Sequence, residues 1–110
     1  MPYIRQEKRE ILDPAIDGLI NELRGLQLDD PEDNTESNLN YIISRLLNKL
    51  YTVDYKEINN ALGMLDAVKM EYYRRVAAPY ENQKRFDNGD VYTLETAEKV
   101  VEDFITTRDN

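Results

Sequence analysis

Leu39, Ile42, Ile43, Leu46, Leu47 and Leu50 recur at steps of three and four, and this spacing limits the possible folds more sharply than any other feature of the chain. It lays apolar side chains along one face of a helix, where a half-buried strand would need strict alternation. The spacing predicts a helix from Ser37 to Leu50. Its stripe is broad enough to face two neighbours at once, which suits the centre of a bundle or a seam between copies.

The same reasoning extends in both directions. Asp13 before Pro14 reads as an N-cap with proline at the first helical position, where its missing N–H has no partner to lose. Ile16, Leu19, Ile20 and Leu23 follow at helical spacing, and Gly25 is expected to stop that first helix. Upstream, the charged stretch from Arg5 to Leu12 is expected as a short helix or an ordered arm. Residues 26–36, with Asp29, Asp30, Pro31, Glu32, Asp33 and Asn34, have no period and predict an acidic loop. The loop lacks the glycine and the terminal glutamate that a calcium loop needs at fixed offsets, so a solvated connector is expected and no metal. After a turn at Thr52-Val53, Asp54 caps a third helix with Glu57 at capping-box spacing. That helix carries Tyr55, Ile58, Leu62, Leu65, Val68, Tyr72 and Val76. Pro79 either ends it near Ala77 or kinks it before a further stretch to Phe86. Asn88-Gly89 marks a stop, Val91-Tyr92 are expected to be extended, and Thr93 opens a C-terminal helix over residues 93–106. The sum is an all-α fold: one small helical bundle over residues 1–110, three main helices plus a C-terminal helix. At 110 residues there is room for a single core, and stripes this long are expected to finish their burial in a homo-oligomer, through the stripes of the second and third helices.

Chemistry is narrowed by what the chain lacks. With no Cys and no His, thiolate nucleophiles, disulfides, usual zinc ligand sets and imidazole acid/base catalysis are unavailable. The acidic side chains show neither a carboxylate pair in contrasting environments nor a metal cluster, so no enzyme activity and no cofactor are expected. No apolar run approaches the roughly 20 residues of a bilayer span, and the N-terminus does not read as a signal peptide, so no membrane association and a cytoplasmic location are expected.

The net charge of -8 argues against direct nucleic-acid binding, yet it is unevenly spread. Residues 69–85 hold five basic and two acidic side chains, against seven and thirteen in residues 1–68 and two and seven in residues 86–110. Within this cationic island lie Lys69, Tyr72, Tyr73, Arg74 and Arg75, then Tyr80 and Lys84. Guanidinium and ammonium groups beside phenol rings suit an anionic ligand carrying a flat ring: cations hold phosphate, and a ring stacks on a base. These seven residues are the expected ligand site. A plainer reading competes, with Tyr72 a core residue between Val68 and Val76 and Arg75 paired with Glu71.

The segments Met1-Pro2-Tyr3-Ile4, Leu39-Asn40-Tyr41-Ile42-Ile43 with Arg45-Leu46-Leu47, Lys69 to Arg75, Pro79-Tyr80-Glu81 and Asn88 to Tyr92 together resemble a family of small helical proteins encoded by bacteriophages and prophages. The likeness spans residues 1–92 and brings no assigned activity. It implies a host bacterial cytoplasm as the setting and binding as the mode of action. The leading expectation is a non-catalytic protein that sequesters a phosphate-bearing small molecule, a nucleotide immune signal, as an anti-defence sponge. The alternatives are an acidic interaction module that inhibits a host protein, and a phage structural or accessory protein.

Overall fold

The computed structural model describes residues 1–92. About four-fifths of these residues are helical, and none forms a strand. The elements are α1 (Gln6–Asp29), α2 (Thr35–Leu50), α3 (Tyr55–Tyr72), a π-helical turn (Tyr73–Ala77) and α4 (Ala78–Asn88). The third long helix is therefore assembled from several pieces. The expected C-terminal helix over 93–106 lies outside the described residues.

The first helix departs from its sequence signals. Asp13 is not its cap and Gly25 is not its stop: α1 starts at Gln6 and runs to Asp29 with Pro14 inside it. The good helix formers from Gln6 to Leu12 carry the helix past a single missing donor. The Arg9 Nε donates to the Ile4 carbonyl at 2.8 Å, tying down the helix start. Gly89 is the one described glycine with positive φ, at 92°, so Gly25 keeps ordinary helical geometry and provides no left-handed stop.

The acidic connector narrows to residues 30–34. Its side chains close it: Asp30 Oδ1 accepts from the Glu32 amide at 3.0 Å, Asn38 Nδ2 donates to Asp33 Oδ2 at 2.8 Å, and Gln27 donates to the Thr35 hydroxyl. Asn34 is the N-cap of α2, its Oδ1 accepting from the Ser37 amide at 2.8 Å. Asp54 caps α3 as its spacing implied, with Oδ1 accepting from the Glu57 amide at 3.0 Å. The Thr52 hydroxyl donates to the other oxygen of the same carboxylate at 2.5 Å. That bond, and then the Glu57 amide, hold the Asp54 carboxyl below its usual range.

Pro79 neither ends the helix nor breaks it. The chain widens ahead of it instead, and the Ala78 amide donates to the Tyr73 carbonyl five residues back. An extra residue in that turn displaces the carbonyl that a proline ring would otherwise strike. Gly89 then ends α4, its amide donating to the Arg85 carbonyl at 2.9 Å. Val91 and Tyr92 form a bend and not an extended pair, because the Tyr92 amide folds back to Asp90 Oδ1 at 2.9 Å.

The chain divides into two compact units, residues 1–69 and those from Met70 onward, with the division inside α3. In the first, α1 and α2 meet beside their turn, where Leu23, Thr35, Asn38 and Ile42 are half-buried. In the second, the π turn and α4 form the local framework. No described residue in either unit is fully buried. The apolar stripes are thus real helical faces, and most of their area remains uncovered.

Candidate functional site

An α-helix takes 3.6 residues per turn, so two turns use about seven residues and side chains eight apart do not align. One inserted residue in the π turn brings two turns to about eight. Tyr73 and Glu81 consequently come onto one face, and the Tyr73 hydroxyl donates to Glu81 Oε2 at 3.2 Å. Lys84, one turn beyond Tyr80, holds its Nζ 5.5 Å from the Tyr80 ring centroid, a cation over an aromatic face.

The chain beyond Gly89 folds back over this surface. Arg85 Nε lies 3.9 Å from Asp90 Oδ2, and a groove of about 850 Å³ opens among Tyr73, Glu81, Lys84, Arg85, Asp90 and Tyr92. The negative charge of Glu81, reinforced by the hydrogen bond it accepts, raises the Tyr73 phenol above its ordinary value, with a smaller push from Tyr92. The phenol therefore stays protonated and works as a donor through the neutral range.

The seven residues singled out by sequence separate into groups. Tyr73 and Lys84 line the groove. Tyr72 and Tyr80 do not line it and are 67% and 63% exposed, so neither is a core residue. Arg74 pairs with Glu71, Nη2 to Oε1 at 2.5 Å. That is the partner expected for Arg75, taken instead by Arg74 at the i, i+3 position. Arg75 is exposed with no carboxylate partner among the described residues. Lys69 is the final residue of the first unit and is not among the residues that line the groove.

Sequence reasoning missed Asp90 and Tyr92 as groove residues, and it left Glu81 and Arg85 within the candidate segment without a role. The i, i+8 relation between Tyr73 and Glu81 falls outside ordinary helical spacing, and Tyr92 arrives only through the turn at Gly89. Pro79 inside a continuing helical pattern is the available signal for a local irregularity of the backbone there. No group of three or more Asp or Glu side chains among the described residues is arranged to hold a metal ion. No described helix is long and apolar enough to cross a membrane.

A family model described as "Domain of unknown function (DUF6899)" matches residues 1–91, which takes in α1 through α4. No curated protein and no solved structure matches the chain.

Proposed function

The chain belongs to the DUF6899 domain family, and from the geometry of its second unit we propose that it is a non-catalytic binding protein for a phosphate-bearing small molecule with a flat ring, a nucleotide-type signal. The observation that carries this is the π turn, which brings Tyr73 onto Glu81 beside an open groove. Wide turns of this kind recur at functional sites, since an inserted residue costs helix stability. In this reading the ligand ring lies in the groove against Tyr73 and Tyr92. Lys84 and Arg85 neutralise the phosphate. Glu81 and Asp90 confine the phosphate to the basic side and accept hydrogen bonds from ring N–H groups. The Tyr80 ring restrains the Lys84 ammonium through the ring contact. Tyr72, Arg74 and Arg75 lie outside the groove and supply a secondary cationic surface.

The resemblance to phage-encoded proteins supports an anti-defence role, in which the ligand is a nucleotide of host immune signalling and is held, not converted. Calorimetry of the full chain against linear and cyclic nucleotides tests the proposal. Saturable heat from at least one nucleotide is expected, weakened at least tenfold by Lys84→Ala with Arg85→Ala. No heat from any of them at about 100 µM protein would defeat it. So would recovery of the nucleotide chemically altered.

A further inference from the structure

The first unit carries apolar surface that its own helices do not cover. On α1, Leu12, Ile16, Leu19, Leu23 and Leu26 follow at steps of four and three, and on α2, Leu39, Ile43, Leu46 and Leu50 do the same. That alternation is the 3.5-residue spacing at which helices pack knobs into holes. The seam is nonetheless open: Ile16 is 48%, Leu46 52% and Leu50 73% exposed.

Charge chooses the occupant. Between Arg9 and Arg24, α1 carries Glu10, Asp13, Asp17 and Glu22 and no cation. From Ser37 to Leu50, α2 carries Arg45 and Lys49 and no acid. A shallow groove of about 300 Å³ runs along α2, floored by Ile42, Leu46 and Leu50 and rimmed by Arg45 and Lys49. Neither cation has a carboxylate partner among the described residues. The shape that fits this groove is a helix presenting apolar knobs flanked by carboxylates, and α1 presents one: Leu12 and Ile16 beside Asp13 and Asp17.

We infer that the chain forms a two-fold dimer in which α1 of each copy packs into the α2 groove of the other, closing both seams at once. A two-fold operator makes each such contact twice. This inference is independent of the ligand groove in the second unit.

The test is sedimentation equilibrium of the full chain from 1 to 200 µM, with helicity followed by circular dichroism. The expected mass is twice the 12.9 kDa of one chain. Arg45→Glu with Lys49→Glu reverses two exposed charges at each of two contacts, and is expected to raise the dissociation constant at least tenfold. Adding Asp13→Lys and Asp17→Lys to that variant is expected to restore association, which no non-specific loss of folding can mimic. Leu46→Asp is expected to give monomer; if it unfolds, the charge exchange still decides. A monomer at 200 µM would overturn the inference in favour of an unrelated partner, as would a dimer indifferent to both charge variants. Higher order than two would overturn the closed geometry.

Discussion

The two interior prolines offer a quantitative test of the π turn, because they meet the helix in different ways. Pro14 sits inside α1 with ordinary register around it. Its ring crowds the Glu10 carbonyl and leaves that oxygen without its helical donor, a combined cost of about 3 kcal/mol relative to alanine. Pro79 follows directly on the wide turn, where the Ala78 amide already reaches back to Tyr73. The steric part is relieved there, leaving roughly one lost hydrogen bond, about 1 kcal/mol. Either substitution by alanine also loosens the unfolded chain, which offsets about 0.4–1 kcal/mol. Pro14→Ala is therefore expected to stabilise by about 2 kcal/mol and Pro79→Ala by less than about 0.6 kcal/mol. In a chain of this size 2 kcal/mol raises the melting temperature by roughly 8 °C. Urea unfolding followed by circular dichroism at fixed protein concentration reads both, since self-association would make the midpoint depend on concentration. If Pro79→Ala stabilises as much as Pro14→Ala, the wide turn does not relieve the proline and must be held by something else.

Other perturbations follow from single observations. A methyl group added at Gly18 meets open space, so Gly18→Ala is expected to stabilise by about 0.5–1 kcal/mol in thermal melts, whereas Gly89→Ala at φ 92° is strained and is expected to destabilise. Asn34→Ala removes the α2 cap and is expected to cost about 1 kcal/mol in urea, with serine at that position recovering most of it. Tyr73, raised by Glu81, is expected to ionise after an ordinary tyrosine in an ultraviolet titration; the stability linked to it is complete below the ordinary phenol value and is lost as pH rises through the folded one. Glu81→Gln should return it to the ordinary range, and an unchanged titration would refute the Tyr73–Glu81 bond. Asp54 has the opposite sign: its lowered carboxyl gives α3 stability above the ordinary carboxylate value, lost as pH falls through the folded one, so Asp54→Asn is expected to flatten the acid side of the melting profile.

Sequence pattern and structure agree where the physics is local. The Leu39–Leu50 stripe and the Asp54 cap each depend on side chains within a few residues, and each appears as read. Gly89 likewise ends a helix where a positive φ is required. The misreadings also have local causes. Asp13-Pro14 and Gly25 carry the chemistry of a start and a stop, but a proline or glycine only weakens a helix, and the formers on either side outweigh it. At Pro79 the sequence offers two outcomes, ending or kinking, and the backbone takes a third by inserting a residue.

That inserted residue decides how the candidate site had to be found. Ordinary helical arithmetic groups Lys69 with Tyr73 and Tyr72 with Arg75 and Val76, and it builds a cationic, tyrosine-bearing patch from neighbours three and four apart. The wide turn replaces this grouping with a pair eight apart, so Tyr73 answers to Glu81. A site described by composition alone is positive. The site described by register mixes Lys84 and Arg85 with Glu81 and Asp90, so a ligand held as proposed would be oriented, where a purely cationic patch would bind any anion. Restoring 3.6-residue register would leave every one of these side chains in the sequence and still separate Tyr73 from Glu81. The recognition surface proposed for this chain is thus a property of one backbone turn before Pro79, more than of the residues that line it.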